Sequence, residues 1–435
     1  MTGNKRFSLC VAGALLAVLL SGAALPAHAA EWYVSSSGGS NQNAGNTPAE
    51  PFKNLQKAIK SAAPGDTIKV AAGNYYGLLN KGSIDLDRGV TILGGFNADF
   101  SQRDILGNPT LLQPSNKSND TYGGNALLYV TIKDESAVTV IDGLMFDKGP
   151  SNNYHQKEGL VEGVTGGMLL HPPSRESMDK SPNAKMPLIG GTFNGSVTIR
   201  NCVFVNGNFY GIQFAQGKGS VKVLNNIFIA NALAAAEIRG STAASHQSDL
   251  EFAYNTVLFS WSRLKDLGDM GYGVRIMTQM DYNIHHNIIG FSCFAGLDAT
   301  RDDKNRYVSI DHNALILNRQ ADLTLPGGGM YLRVWAEDFA DLELKSTKGN
   351  KTLNDFSLLA DKINKPYTIG FLDVRYKEKT DLDENSPSNR LREMLGQPKR
   401  GQITSQVSMY GNYYPLTDAV KLFGAVEGVG AQKAE

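Results

Sequence analysis

Five short segments, "YGIQFA", "AAEIRGS", "GVRIMTQ", "GLDATRDD" and "MYLRVWAED", each set one polar residue between apolar neighbours spaced by two. Those polar residues are Gln213, Glu237, Arg275, Asp298 and Arg333. If the apolar neighbours face a core, the period of two sends the residues between them to the opposite, exposed face. Strands stacked in chain order would then carry a line reading polar, negative, positive, negative, positive. A second line runs beside it through Ala215, Arg239, Met277, Thr300 and Trp335. Opposite charges on neighbouring strands stabilise a sheet by roughly 0.2–1 kcal/mol per pair and discourage register slips, which explains the alternation without any chemistry. The same residues also suit a chemical role. Arginine grips a carboxylate bidentately and an aromatic face stacks on a sugar ring. Arg239, Arg275, Arg333 and Trp335, with Gln213, would therefore form a platform for an acidic, uronate-containing polysaccharide. Glu237 and Asp298 would hold Ca2+, a hard cation that takes several carboxylate and carbonyl oxygens.

A second set of candidates is histidine. "DYNIHHNIIGF" places His285 and His286 together, and "YVSIDHNALIL" places His312 in a segment of nearly the same shape. Both belong to a repeat that also includes "TIKVAAGNYY", "GVTILGGFN", "VTVIDGLMF", "VTIRNCVFV", "VKVLNNIFI" and "LEFAYNTVL". Aligned on their apolar pairs, these share a position occupied by Gly73, Gly95, Gly143, Cys202, Asn226, Asn255, Asn287 and Asn313. His286 and His312 then fall in one column on successive repeats, roughly 4.8 Å apart, with His285 and Asp311 in contact in the column before. That arrangement reads as architecture, because a metal site needs a third or fourth converging ligand and none is evident.

The elements that must position these residues follow from the repeat. Glycine and asparagine tolerate positive φ, so the shared position is expected to be a left-handed corner between two strands. Stacked asparagines can also hydrogen-bond along the stack. Short strands, tight corners and a recurring unit of this length give an all-β fold, a single right-handed parallel β-helix. Phe52, Leu55, Ile59 and Ala62 lie at helical spacing and Pro64-Gly65-Asp66 stops them, which predicts a helix capping the open apolar end of the solenoid.

The organisation expected along the chain starts with a signal peptide over 1–29. Lys5 and Arg6 precede an apolar run too short to span a bilayer, and Ala27-His28-Ala29 offers a cleavage site. The mature chain would be secreted or periplasmic. An N-terminal cap over 30–66 follows, then the β-helix over 67–335 with an insertion at 147–194. A long insertion at 336–405 and a C-terminal coil or cap at 406–435 complete it. The insertion at 147–194 and the excursion at 262–272 are expected to wall a groove. Lys plus Arg and Asp plus Glu both total 42. This balance favours neither nucleic acid nor an anionic membrane as partner, and no later segment is apolar enough to span a membrane. Cys202 and Cys293 remain after cleavage and are expected to be buried free thiols.

"YVSSSGGS", "PFKNLQKAI", "PGDTIKVAAGNYY" and "ILGGFNADFSQRD" together resemble the N-terminus of bacterial right-handed parallel β-helix proteins of the pectate-lyase-like superfamily. The resemblance covers roughly 31–115, and the repeats extend it to about 335. It implies the fold directly. For activity it implies a polysaccharide lyase working by β-elimination, in which a base removes the proton beside the uronate carboxylate and a cation stabilises the enolate-like intermediate. Arg275 or Arg239 would supply that cation, with His246 or Lys265 as the base. The sequence lacks the "NTD", "DD…HG" and "RIK" set of polygalacturonases and the "DPHD" signature of alginate epimerases. A non-catalytic cell-surface or matrix protein that uses the solenoid as an adhesive or structural scaffold is the alternative.

Overall fold

The computed structural model describes residues 29–77, 83–113, 126–148, 187–207, 209–261, 271–300, 305–327, 331–372, 383–399 and 413–434. The expected signal peptide lies outside these residues, apart from Ala29. So does most of each expected groove wall, at 149–186 and 262–270.

One turn of the chain shows how the sequence builds the rest. Val221 and Val223 point inward from a strand over Gly219–Leu224, and the chain turns at Asn225, whose φ is 58°. It continues through Ile227–Ile229, bends again between Ala230 and Leu233, and runs out along Ala234–Gly240. Each later turn repeats these three strands, so equivalent strands stack into three nine-stranded sheets. All neighbours pair in parallel, except that the last strand of the third sheet, Leu332–Val334, runs antiparallel to Ala321–Leu325. This is a parallel β-helix. β-branched and aromatic side chains fill it because they pack well on a pleated surface. Phe146, Phe204 and Phe228 stack on successive coils with ring centroids 4.9 and 4.6 Å apart.

The corner between the first and second sheets differs from the expected one by a single residue. On the early coils Gly73, Gly95 and Gly143 have positive φ, as their type suggests. On the later coils positive φ falls one position earlier, at Asn201, Asn225, Tyr254, His286 and His312. The next residue turns inward. Asn226, Asn255, Asn287 and Asn313 each donate a side-chain hydrogen bond to the next asparagine, ending at Asn350, at 2.9–3.1 Å. Each also satisfies buried backbone, as where Asn287 Oδ1 accepts from Asn255 N at 2.8 Å and Asn287 Nδ2 donates to Phe252 O at 2.8 Å. Bending the chain costs buried N–H and C=O groups their sheet partners, and the asparagine amides replace them. Cys202 occupies this position on its own coil and is buried, as is Cys293; both are free thiols.

Both ends of the core are closed. A helix over Leu55–Ser61 buries Leu55, Ala58 and Ile59 across the first coil, as its spacing predicts. At the far end Val334, Ala336 and Phe339 join the core. The solenoid itself continues past the expected limit of 335, because Lys351–Leu353 pairs with Ala314–Ile316 in the second sheet.

The second sheet is apolar on both faces, with Phe228 turned to the core and Ile227 and Ile229 turned away. Tyr367 and Phe371 of a helix over Lys365–Phe371, Leu391 of a helix over Pro387–Met394, and Tyr414, Leu422 and Phe423 cover that outer face. The C-terminal segment is pinned across it: Asn206 and Tyr414 exchange two hydrogen bonds, Ala431 N donates to Thr256 Oγ1 at 2.9 Å, and Gly430 N donates to His286 O at 2.8 Å. The described parts of the segment after 335 thus close the core, extend the second sheet and cover its outer face. No helix of the described residues is long and apolar enough to cross a membrane.

Candidate functional site

The charged line has the expected register. Gln213 pairs with Glu237, Glu237 with Arg275, and Arg275 with Asp298 along the third sheet. It does not have the expected exposure. Glu237, Arg275 and Asp298 retain 4, 6 and 1% of their accessible surface. Arg275 donates from Nη1 to Glu237 Oε2 at 2.7 Å and from Nε to Asp298 Oδ2 at 2.9 Å. Gln213 Nε2 donates to Glu237 Oε1 at 2.9 Å. Asp298 Oδ1 accepts from Thr300 N and Oγ1 and from Thr324 Oγ1. Tyr210, Tyr272 and Phe294 gather beside this row, with Arg275 over the Tyr272 ring and bonded to the Tyr210 hydroxyl at 3.2 Å. Burial opposes the Arg275 charge, but the Asp298 and Glu237 carboxylates outweigh it and raise its pKa. Burial and the nearby Glu237 push the Tyr210 hydroxyl up to about 12. Arg275 is therefore a structural cation, out of reach of a polysaccharide.

Nor does the pair Glu237 and Asp298 fit Ca2+. Arg275 stands between the two carboxylates, and their oxygens already accept from Arg275, Gln213, Thr300 and Thr324. Six to eight oxygens must converge on Ca2+. No group of three or more His, Cys, Asp or Glu among the described residues could hold a metal ion.

Arg333 and Trp335 depart from the expected line for a topological reason. The coil after Asp298 contributes Thr324, and Arg333 pairs with Thr324 from the antiparallel strand. The reversal carries Trp335 away from the row of Arg239, into a half-buried position ahead of a short 3-10 turn over Ala336–Asp341. Arg333 is exposed and lies over the Phe294 ring at 5.9 Å.

Arg239, like Arg333, stays exposed. Its register neighbours on one side are Ala215 and, one coil further, Thr192, too short to cover a guanidinium. It is exposed, with no ion pair or hydrogen bond among the described residues. It lines an open groove of about 910 Å3 along the corner between the third and first sheets. Thr192, Asn194, Ser241, Thr278 and Gln279 supply hydroxyls and amides there, and Glu135 and Lys218 are the other charged residues lining it. Two glycines let the coils close up beneath it. A Cβ at Gly217 would collide with the Asn194 amide, and one at Gly240 with the Gln279 carbonyl. Sequence reasoning missed Glu135 and Lys218 because both sit in turns, outside the alternating pattern that identifies strand faces.

His246 stands just beyond this groove. Its backbone N–H donates to Gln279 O at 2.9 Å, its Nδ1 is 2.9 Å from Asp281 Oδ1, and its ring stacks on Tyr307 at 3.7 Å. Lys265 lies outside the described residues. Among the described residues, His286 and His312 stack at the corner between the first and second sheets, 5.0 Å apart and nearly parallel, with Tyr254 on the other side of His286. Burial, then His285 and His312, lower the His286 pKa. His285 and Asp311 pair in register on adjacent strands, as expected, while their side-chain hydrogen bonds go to other groups. His285 Nδ1 meets His286 Nδ1 at 2.9 Å, and Asp311 accepts from Ser346 Oγ and Lys348 N at 2.7 Å.

Comparison with known proteins adds to this picture. Residues 37–162 match a family described as a protein of unknown function, DUF1565. No curated protein matches the sequence. Among solved structures, the chain is similar to pectate lyase Pel9A at 13% identity and a TM-score of 0.38, over 67% of this chain and 70% of that one. It is similar to a rhamnogalacturonan lyase at 10% identity and a TM-score of 0.36, over 66 and 74%. A GH136 lacto-N-biosidase from Eubacterium ramulus gives 13% and 0.35, over 74 and 55%.

Proposed function

We propose that this protein binds an acidic, uronate-containing polysaccharide along the groove that holds Arg239, in a secreted or periplasmic setting consistent with its leader-like first 29 residues. One observation carries the reading. An exposed guanidinium with no hydrogen bond or ion pair among the described residues sits in an open groove lined by hydroxyls and amides. A fork of N–H donors suits a carboxylate, and short polar side chains suit sugar hydroxyls.

Cleavage by β-elimination is the finer form of the same reading. In that case Arg239, and not Arg275, meets the uronate carboxylate, and His246, oriented by Asp281, is the base. The non-catalytic alternative is favoured by one finding. The strongest charge constellation of the sheet, Glu237, Arg275 and Asp298, is buried and fully engaged in holding coils together.

The test is a binding and turnover panel of pectate, alginate, hyaluronan and chondroitin with the mature protein and Arg239→Ala. Binding lost in Arg239→Ala supports the groove, and ultraviolet absorbance from an unsaturated uronate product adds the lyase activity. Binding without product leaves a polysaccharide-binding scaffold. If no polymer of the panel binds to the folded protein, the reading falls.

A further inference from the structure

The groove carries two cations, and one of them is already answered from within. Lys218 Nζ lies 3.0 Å from Glu135 Oε2. Both backbones are held in place. Lys218 N donates to Asn194 Oδ1 at 3.2 Å and its carbonyl accepts from Gln216 Nε2 at 2.9 Å. Glu135 sits in a turn in which Ser136 N and Oγ donate to Asp134 Oδ1 at 2.9 and 2.8 Å. The pair reaches across the coil of Asn194, and the stacking of the coils sets the order of the lining residues: Glu135, the neutral Asn194, Lys218, Arg239, then the neutral Thr278 and Gln279.

We infer that Glu135 sets the charge spacing this groove accepts, favouring acidic polysaccharides whose carboxylates alternate with neutral sugars over continuous polyuronates. The inference rests on the proposed binding of an acidic polysaccharide. Its physical basis is the sign of the field along the groove. A carboxylate of the ligand placed on Arg239 is matched. A ligand carboxylate near the far end meets Glu135 first, and Lys218, held by Glu135 and coming from a coil nearer Arg239, offsets only part of that repulsion. Like charges brought within about 4 Å in water repel by about 1 kcal/mol, a factor of about five in binding. A neutral sugar at that end has no such cost, and the Asn194 amide beside it remains available for its hydroxyls.

The experiment measures binding of polygalacturonate, a continuous polyuronate, and of hyaluronan, in which uronate alternates with a neutral sugar. The proteins are the full chain, Glu135→Gln, Arg239→Ala, and Asp99→Asn as a control that removes an exposed acid outside the groove lining. The expected result is tighter binding of hyaluronan by the unaltered protein. Glu135→Gln then raises polygalacturonate affinity about fivefold, with a steeper loss on adding salt, and changes hyaluronan binding much less. Asp99→Asn leaves the ratio unchanged. Equal gains for both polymers, the same gain in Asp99→Asn, or no gain in Glu135→Gln would overturn the role of Glu135. If the unaltered protein and Arg239→Ala fail alike to bind either polymer, the underlying binding proposal is what has failed.

Discussion

Arg275 and Asp298 meet at 2.9 Å across adjacent coils, Nε to Oδ2, with both side chains almost wholly removed from water. On the far side the same guanidinium holds Glu237 at 2.7 Å. One cation thus ties three successive strands of the third sheet together.

Removing that cation leaves two carboxylates buried without it. Arg275→Met is expected to cost about 3–5 kcal/mol, the range for breaking a buried ion pair from one side. Replacing all three charges together, as Glu237→Gln, Arg275→Met and Asp298→Asn, should cost less than the single change. Urea denaturation of the unaltered protein, the single variant and the triple variant checks the ordering.

Arg239 should behave in the opposite way. It is exposed and has no ion pair or hydrogen bond among the described residues, so Arg239→Ala is expected to shift stability by no more than about 0.5 kcal/mol. Its effect on an acidic polysaccharide should be about ten- to a hundredfold in affinity, the worth of a hydrogen bond to a charged group. Thermal melting and titration calorimetry on one preparation separate the two.

In the asparagine column, Asn287 Oδ1 accepts from both the backbone and the amide of Asn255. Asn287→Ala strands these buried donors and should cost about 3 kcal/mol. Asn350, at the partly buried end of the column, should be less sensitive. Denaturant midpoints of the two alanine variants give the comparison.

Asp322 predicts a pH effect of unusual sign for a carboxylate. Burial raises its pKa to about 6, against the ordinary 3.8, even though Asn318, Thr352 and Ala336 N donate to it. The folded state therefore holds its proton more tightly than the unfolded state. Its contribution is fully present below about pH 4 and is lost as pH rises through about 6, on the order of 3 kcal/mol in all. Asp322→Asn removes this group's titration. Unfolding free energies measured from pH 4 to 7 should show the unaltered protein losing stability relative to the variant, and a constant difference would refute the assignment.

The coil rhythm was legible because it depends on local rules: β-branched residues at period two, glycine or asparagine near a corner, and amides that can replace lost backbone partners. The order Gln213, Glu237, Arg275, Asp298 was legible for the same reason. Its burial was not. The aromatic cluster beside the row brings together Tyr210, Tyr272 and Phe294 from three different coils, and alternation within one strand says only which side of the sheet a residue faces. Arg333 shows a second limit. An alternating pattern reads the same in either direction, so "YLRVW" fits an antiparallel strand as well as a parallel one. Pro326 and Gly327, followed by two more glycines in the sequence, were the available sign of a reversal. The groove was harder still, since its charged residues Glu135 and Lys218 come from turns of separate coils.

The C-terminal cover over the second sheet has a consequence for how the chain is made. Ile227, Ile229, Phe259 and Phe291 belong to coils completed long before Tyr414 and Phe423 are synthesised. At about 5–20 residues per second, those coils wait on the order of ten seconds for part of their cover. During that interval a nascent chain presents a ladder of apolar side chains that only its last residues will shield. A chain cut short near its end is expected to leave this apolar flank uncovered, and to associate through it.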